Sequence, residues 1–522
     1  MRPFKIAKKT KVYVSLVLVL LSTPVIATGA DLSQITRLAS QGDAIAQTDI
    51  AEMYYKGEGV RQDYQKALEW YTKAANQGLA DAQYNTGIMY DKGEGVRQDY
   101  QKAFEWYIKA ANQGLADAQY NTGIMYDKGE GVRQDYQKAF EWYIKAANQG
   151  LADAQYNTGI MYDKGEGVRQ DYQKALEWYT KAANQGDAGA QNNIGIMYDK
   201  GEGVRQDYQK ALEWYTKAAN QGLATAQYNT GIMYYKGEGV RQDYQKALEW
   251  YTKAANQGLA TAQYNIGRMY YKGEGVRQDY QKALEWYTKA ANQGLATAQY
   301  NIGRMYYKGE GVRQDYQKAL EWYTKAANQG DADAQINIGT MHHKGEGVRQ
   351  DYQKALEWYT KAANQGDADA QNNIGTMHHK GEGVRQDYQK ALEWYTKAAN
   401  HATAQYNIGR MYYKGEGVRQ DYQKALEWYT KAANQGYAAA QYNTGIMYYK
   451  GEGVRQDYQK ALEWYTKAAN HATAQYNIGR MYYKGEGVRQ DYKKAKNFFG
   501  LSCDNGFQEG CNVYKRLNER GF

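Results

Sequence analysis

The sequence predicts an all-α solenoid, a stack of tandem helix-turn-helix repeats. The octapeptide Lys-Gly-Glu-Gly-Val-Arg-Gln-Asp occurs thirteen times, first at residues 56–63 and last at 484–491. Its spacing is 36 residues except for two steps of 34, and a fixed period of this size is typical of stacked repeats. Both prolines precede the repeats, so no proline interrupts a helix of the array. Because each repeat of such an array contacts only its neighbours, the architecture favours binding along an extended surface.

The second repeat, residues 78–113, shows how one unit is expected to fold. The segment from Leu79 to Lys92 places Ala82, Thr86 and Met89 on one face at helical spacing, and it predicts a first helix, helix A. A short turn that contains most of the octapeptide follows. A second helix, helix B, completes the unit.

The turn predicts where helix A ends and where helix B begins. Gly93 can adopt the left-handed conformation that often ends a helix. Asp99 is placed to accept backbone N–H bonds at the start of helix B, which is predicted from Tyr100 to Gln113. Gly87 lies inside helix A, where glycine is unfavourable, and it predicts a close approach of the paired helix.

Helix B is predicted to pack with one face and to leave the other in solvent. Tyr100, Ala103 and Tyr107 belong to the apolar stripe. Glu105 and Lys109 lie on the opposite side with the spacing of an i,i+4 ion pair.

The residues outside the repeats predict a leader and two caps. Residues 1–30 combine a basic start, an apolar run at 12–21 and small residues, the layout of a cleavable secretory signal peptide with Ala27 or Ala30 as the last residue removed. The run is shorter than the ~20 residues of a membrane span, so a cleaved signal is favoured over an uncleaved membrane anchor. We therefore expect an exported protein, periplasmic or secreted, without stable membrane insertion. Residues 31–41 and 508–522 are predicted as capping helices at the two ends of thirteen repeats that fill residues 42–507. In the second cap, Val513, Tyr514 and Leu517 are expected to face inward.

The charge balance argues against a nucleic-acid partner. The formal net charge is +9, but five of the 66 basic residues lie in the first eleven residues, which contain no acid. This leaves 61 basic residues against 57 acidic ones, a balance that does not imply a polyanion partner.

Recurrent positions of the unit resemble the Sel-1-like repeat, a branch of the tetratricopeptide-like α-solenoids. The residues that carry the resemblance are Ala82-Gln83, Gly87, Tyr90, Gly93-x-Gly95-Val96, Asp99, Lys102-Ala103, Trp106-Tyr107 and Ala110-Ala111. The resemblance implies a right-handed superhelix of about 28 helices, with helix A lining its concave side. It also implies an adaptor for other proteins or cell-envelope components, with a host protein as a further candidate partner.

The two cysteines, Cys503 and Cys511, lie near the end of the chain. An even number in a chain expected to be exported favours a disulfide over a metal pair. The resemblance to cysteine-rich Sel-1-like proteins likewise implies a bridge across the last helical turn.

Variation among the repeats is concentrated on helix A. The variable positions are those of Asp81, Tyr84, Ile88 and Asp91, which are spaced 3, 4 and 3 residues apart and form one stripe of the helix. By the resemblance this stripe faces a bound ligand, and we expect a protein or peptide partner there. Early repeats offer mostly Asp, whereas later repeats offer Tyr and Arg, the residue types enriched at binding hot spots. The predicted partner-binding residues are Asp81, Tyr84, Ile88, Asp91, Asp127, Asp163, Tyr235, Arg268, Tyr271, Arg304, Tyr307, Arg410, Tyr413, Arg480 and Tyr483.

Four other interpretations remain open. The variation can be drift among recent duplicates, and the array can be a ligand-free structural spacer. The pairs His342-His343 and His378-His379 can hold a metal only if one His of each repeat converges, and a Tyr-to-His change explains them more simply. Catalysis needs a unique, asymmetric group of residues, whereas nearly every polar residue here is repeated, so we expect no enzyme, cofactor or metal. Some Sel-1-like proteins are linked to cell-wall or β-lactam binding, which leaves a hydrolytic protein as the alternative.

Overall fold

The computed structural model describes residues 29–468 and 470–522, and in these residues the chain forms 28 α-helices and no strand. The predicted cleavage residue Ala27 lies outside the described residues. The helices are α1 (Gly29–Ser40), α2 (Ala44–Lys56), α3 (Tyr64–Asn76), α4 (Ala80–Lys92), α5 (Tyr100–Asn112), α6 (Ala116–Lys128), α7 (Tyr136–Asn148), α8 (Ala152–Lys164), α9 (Tyr172–Asn184), α10 (Ala188–Lys200), α11 (Tyr208–Asn220), α12 (Ala224–Lys236), α13 (Tyr244–Asn256), α14 (Ala260–Lys272), α15 (Tyr280–Asn292), α16 (Ala296–Lys308), α17 (Tyr316–Asn328), α18 (Ala332–Lys344), α19 (Tyr352–Asn364), α20 (Ala368–Lys380), α21 (Tyr388–Lys397), α22 (Ala402–Lys414), α23 (Tyr422–Asn434), α24 (Ala438–Lys450), α25 (Tyr458–Lys467), α26 (Ala472–Lys484), α27 (Tyr492–Asp504) and α28 (Gln508–Glu519).

Helices A and B alternate along the chain, and the octapeptide sets the boundary between them. The even-numbered helices α2 to α26 are the A helices, and the odd-numbered helices α3 to α27 are the B helices. Gly93 ends α4 in the left-handed conformation, with φ of 74°, and its N–H donates to Met89. Asp99 accepts a bond of 3.0 Å from the backbone N–H of Lys102 and so caps α5. The predicted boundaries of both helices are confirmed within one residue.

The hydrophobic core is shared between neighbouring repeats. Ala103 and Tyr107 of α5 are buried together with Met125 of α6, which belongs to the next repeat. Further along α5, Ala110 and Ala111 pack against Ala118 of α6. Because each helix B is buried by the helix A that follows it, a single repeat cannot complete its own core.

The predicted close approach at Gly87 is confirmed. A Cβ atom at this position would lie 2.6 Å from Cδ1 of Tyr107, so only glycine fits without movement of the ring. The predicted ion pair of Glu105 with Lys109 is wrong, because Lys109 instead places its Nζ 4.0 Å from the centroid of the Trp106 ring. Tyr100, predicted in the packing stripe, is 37% exposed.

The two 34-residue steps shorten helix B. The helices α21 and α25 have ten residues instead of thirteen, and a histidine precedes the next helix A in each case. His401 lies 3.1 Å from Asp369, between its Nε2 and an Oδ1 atom, and His471 stacks on Tyr442 with ring centroids 4.6 Å apart. Both histidines are half-buried and take the place of a hydrophobic residue such as Leu79.

The chain divides into two compact units, Met1–Trp250 and Tyr251–Phe522. In the described part of the first unit, α1 covers the first repeat by packing Ala39 against Ala46 and Ile50 of α2. This helix begins two residues before the predicted cap. None of the helices in residues 29–468 and 470–522 combines the length and the apolarity needed to cross a membrane.

The second unit ends with the hairpin of α27 and α28. Leu517 of α28 is buried against Ala495 and Phe499 of α27. The predicted inward orientation of Tyr514 is wrong: its side chain is 39% exposed, because the helix turns that position toward the edge of the hairpin. The expected disulfide is confirmed, since Cys503 of α27 and Cys511 of α28 are bonded.

Candidate partner-binding surface on helix A

The four variable positions of helix A, here called positions one to four of the helix A stripe, lie at the edge of the core. Asp81, at position one, is exposed, and the other predicted partner-binding residues are half-buried. Half-buried side chains have neighbours within the protein, and those neighbours differ from one position of the stripe to the next.

A tyrosine or histidine at position four reaches the next repeat. The hydroxyl of Tyr271 donates to Oε2 of Glu310 at 2.6 Å, and Glu310 belongs to the octapeptide of the following turn. Burial, and then this hydrogen bond, raises the pKa of Tyr271 to about 12. The same contact recurs within each unit, from Tyr55 to Glu94, Tyr307 to Glu346, Tyr413 to Glu452 and Tyr449 to Glu486.

The histidine pairs adopt the tyrosine geometry. His343 Nε2 lies 2.9 Å from Glu382, and His379 Nε2 lies 2.7 Å from Glu416. Each imidazole also contacts the first tyrosine of its own helix B, with ring centroids 5.0 Å apart, and Tyr271 contacts Tyr280 at 5.1 Å in the same way. These contacts support the interpretation of a Tyr-to-His change. In the described residues, no group of three or more His, Cys, Asp or Glu side chains is placed to hold a metal ion.

An aspartate at position four stays within its own repeat. Asp91 accepts a bond of 3.2 Å from the hydroxyl of Tyr107 on the paired helix B. Asp127, Asp163 and Asp199 are placed in the same way on Tyr143, Tyr179 and Tyr215. Burial raises the pKa of all four carboxyl groups above the usual value, and the bond from the tyrosine offsets part of that rise.

An arginine at position three packs on position four of the preceding repeat. The guanidinium carbon of Arg304 lies 4.8 Å from the centroid of the Tyr271 ring, and that of Arg480 lies 5.9 Å from the Tyr449 ring. Arg410 takes the equivalent place on His379, with Nη2 3.0 Å from Nε2. In this chain every such arginine follows a repeat with Tyr or His at position four, and none follows Asp.

Position two also joins neighbouring repeats. Asn121 Nδ2 donates to the hydroxyl of Tyr84 at 3.4 Å across the repeat boundary, and burial raises the pKa of Tyr84. The Tyr84 ring lies 5.7 Å from that of Tyr107, centroid to centroid. In the second unit the stripe residues of successive repeats contact one another and form one row. In the first unit Tyr84 contacts Asn121, the residue that follows position two of the next repeat.

The row differs in chemistry between the two units. In the first unit positions one and four carry mostly carboxylates, exemplified by Asp117 and Asp127. In the second unit Arg304 and Tyr307 typify a row of guanidinium and phenol groups. Such rows offer repeated charged and aromatic contacts to an extended partner. The octapeptide glutamates that bond to a Tyr or His at position four also belong to this surface, although the sequence assigned them only to the turn. The one sequence signal for this contact is that each such glutamate follows its Tyr or His by 39 or 37 residues.

The repeats and the whole array have known counterparts. Residues 44–507 match the Sel1 repeat in thirteen consecutive segments, the first at 44–79 and the last at 472–507. No curated protein matches the chain. Among solved structures, a protective antigen of uropathogenic Escherichia coli strains that displays an SLR fold is 38% identical, and the match covers 86% of this chain and 96% of that one with a TM-score of 0.67. A Sel1 repeat protein from Oxalobacter formigenes is 35% identical, with 60% of this chain and 91% of that one covered and a TM-score of 0.50.

These matches agree with the fold that the helices build. The thirteen matched segments coincide with the thirteen pairs of helices A and B, from α2 and α3 to α26 and α27. The chain is a tandem helix-turn-helix solenoid and belongs to the Sel1 repeat family.

Proposed function

We propose that this protein is a non-catalytic scaffold that is exported from the cytoplasm and binds a protein or peptide partner along the helix A stripe. The observation that carries the proposal is the concentration of sequence variation on four positions of helix A, while helix B stays nearly constant from repeat to repeat. Repeat arrays typically bind through an extended surface, and changes restricted to one row adapt that surface without disturbing the core.

The chemistry of the row supports a protein partner. Arg and Tyr are enriched at the energetic centres of protein interfaces. Arg304 and Tyr307 are half-buried and held by neighbours, so they lose little conformational entropy when a partner binds. The repeated, symmetric arrangement of polar groups does not favour catalysis, which requires one asymmetric group.

Export is supported by the layout of residues 1–30 and by the likeness to the Escherichia coli protein, which is described as a protective antigen. Fractionation of the source cells and N-terminal sequencing of the mature protein test it. We expect a periplasmic or extracellular protein that begins at Thr28 or Asp31. A cytoplasmic protein that retains Met1 would contradict export and leave the binding proposal standing.

The binding proposal is tested by capture from envelope and culture fractions followed by mass spectrometry. In the test variant, Arg268, Arg304, Arg410 and Arg480 are replaced by Gln, which keeps part of each side chain for packing. The control variant replaces four helix B lysines that lie over tryptophan rings with Gln, namely Lys289, Lys325, Lys361 and Lys431. It removes the same charge from another face.

We expect a partner that the wild type and the control capture and the test variant does not, with equal helicity by circular dichroism in all three proteins. Equal capture by the test variant would contradict a role of the stripe. Turnover of a β-lactam or of peptidoglycan fragments by the purified protein would contradict the non-catalytic scaffold and support the hydrolytic alternative.

A further inference from the structure

In the second unit the octapeptide arginine makes no hydrogen bond or ion pair with the residues that the structure describes. In the turn before α17, Lys308 pairs with Glu310, Gln314 donates to the carbonyl of Tyr307, and Asp315 caps the helix. Arg313 is exposed, and its guanidinium makes no hydrogen bond or ion pair with any residue that the structure describes.

This arrangement recurs throughout the second unit. Residues 251–522 contain seven octapeptide arginines, and all seven are exposed. None of their guanidinium groups has a hydrogen-bond or ion-pair partner within the described residues. They are Arg277, Arg313, Arg349, Arg385, Arg419, Arg455 and Arg489.

Two of these arginines, Arg277 and Arg313, line open clefts. The cleft at Arg277 has a volume of about 670 Å³, and its floor includes Tyr270, Val276 and Lys282. A second cleft, of about 530 Å³, lies at Arg313 in the next repeat. Their aromatic faces are not free, because Lys282 covers the Tyr270 ring and Lys318 covers the ring of Tyr306.

The clefts carry an uncompensated positive charge. The carboxylate of Asp279 lies in the cleft of Arg277, but it already accepts from the N–H of Lys282 and lies 4.0 Å from the Nζ of the same residue. This leaves the guanidinium of Arg277 without a counterion. An exposed guanidinium binds carboxylates through two parallel hydrogen bonds.

The spacing of the clefts follows from how the turns stack. Gly311 of one turn lies close to Tyr280, the first residue of the preceding helix B. A Cβ atom added to Gly311 would lie 2.7 Å from the Cβ of Tyr280. Successive turns are therefore separated by one helix, and a helix with its side chains is about 10 Å in diameter. A peptide in the polyproline II conformation advances about 3.1 Å per residue with three residues per turn, so every third side chain lies on the same face and meets the next arginine.

We propose that the turn arginines of the second unit form a ladder that binds an acidic peptide in the polyproline II conformation with a carboxylate at every third residue. This surface is distinct from the helix A stripe. Duplex DNA carries a charge every 1.7 Å along its axis and is far too densely charged for a ladder with one free guanidinium per repeat. The covered tyrosine rings also offer no stacking surface for bases.

The test uses the full protein and two fluorescent peptides of equal composition. In the first peptide, six glutamates occur at every third position among Ser and Gly. In the second, the six glutamates are contiguous. The binding of both peptides is measured by fluorescence anisotropy at low and at physiological salt.

In the test variant, Arg277, Arg313, Arg349 and Arg385 are replaced by Gln, which removes no hydrogen bond or ion pair that these arginines make within the described residues. The matched control replaces Lys289, Lys325, Lys361 and Lys397 with Gln and loses the same net charge on helix B. Exposed ion pairs are weak one by one, so we expect about tenfold tighter binding of the spaced peptide, and about a tenfold loss in the arginine variant only.

Equal affinity for the two peptides, or equal loss in the arginine variant and the control, would overturn the proposal, because net charge alone would then explain binding. Tighter binding of duplex DNA or of a polyuronate than of the spaced peptide would overturn the peptide assignment. The variant with glutamines on the helix A stripe should bind the spaced peptide as the wild type does. Its failure to do so would place the peptide on the stripe and contradict the ladder.

Discussion

Position 87 requires glycine because the Tyr107 ring of the paired helix lies too close for a Cβ atom. The first repeat carries Ala51 at the equivalent position, fully buried beside Tyr71. The methyl group is therefore tolerated where the local packing has adjusted to it. The other repeats have adjusted to glycine, and the ring of Tyr107 occupies the space that a methyl group would need.

We expect Gly87→Ala to destabilise the hairpin of α4 and α5 by up to about 2 kcal/mol, because an overpacking cost of about 1–3 kcal/mol outweighs the ~1 kcal/mol by which Ala favours a helix. The matched variant Ala51→Gly should cost about 1 kcal/mol from helix propensity and a small cavity. Hydrogen exchange of the α5 amides, compared with those of α3, measures both effects locally. Slower exchange of α5 in Gly87→Ala would show that the tyrosine ring moves aside without cost.

The four position-four aspartates make the stability of the first unit depend on pH. Burial raises the folded-state pKa of Asp91, Asp127, Asp163 and Asp199, so the folded state holds protons more tightly than the unfolded state. Their stabilising contribution is therefore complete below the unfolded pKa near 3.8. It is lost as the pH rises through the folded pKa.

Replacing the four position-four aspartates with Asn should remove this loss of stability at neutral pH. We expect the quadruple variant to be more stable than the wild type at pH 7, by well under ~1.4 kcal/mol per site because solvent screens these half-buried groups. The difference should shrink toward pH 4. Urea titrations at pH 4, 5.5 and 7 measure it, and a difference that grows as the pH falls would contradict a raised folded-state pKa at these four carboxyl groups.

Among the elements, the terminal hairpin differs from the repeats in how it is held. The interior hairpins are held by noncovalent contacts alone, whereas the hairpin of α27 and α28 is also held by a covalent bond. The bond between Cys503 and Cys511 joins the end of α27 to the first turn of α28.

Replacing both cysteines with Ser should destabilise this hairpin by about 2.5 kcal/mol, the loop-closure entropy of a bridge of this span. The buried contact of Leu517 with Phe499 remains, so we expect fraying of α28 and not loss of the array. Limited proteolysis at Lys515 and Arg516 measures the fraying, with Lys515→Gln/Arg516→Gln as a control for the cleavage sites. Resistance unchanged by the serine variant would show that the apolar contact alone holds the helix.

The sequence predicts elements well because local signals determine them. Gly93 and Asp99 fix the ends of two helices through backbone conformation and a hydrogen bond to the nearest turn, and both boundaries are confirmed. The contact between Tyr271 and Glu310 is not predictable in this way, because it depends on how one repeat is rotated against the next. Helical periodicity places residues on a face but says nothing about that rotation. The choice of Lys109 between Glu105 and the Trp106 ring is missed for a related reason, since both are within reach of one flexible side chain.

For the molecule as a whole, the central property is that repeats are nearly interchangeable in packing and differ in the stripe. In the second unit, α16 and α18 present Ala298 and Ala334, and Ile302 and Ile338, to the preceding helix B. The turn of the next repeat supplies the glutamate that pairs with position four in both cases. Glu346 pairs with Tyr307 of α16, and Glu382 pairs with His343 of α18. Removal of one repeat therefore rebuilds the same core at the junction.

Because the repeats are interchangeable in packing, deleting one repeat can test whether the array binds a partner or only sets a distance. One variant lacks residues 296–331, which carry Arg304 and Tyr307, and a matched variant lacks residues 332–367, which carry Thr340 and His343 at the same positions. Both lose 36 residues, and circular dichroism should show the same helicity per residue in each. If the stripe binds the partner, the first deletion should weaken capture by about tenfold, the loss of one or two hot-spot residues, and the second should weaken it less. If the array only sets a distance, the two deletions change the length equally and must have equal effects, so equal losses of capture would contradict the binding role of the stripe.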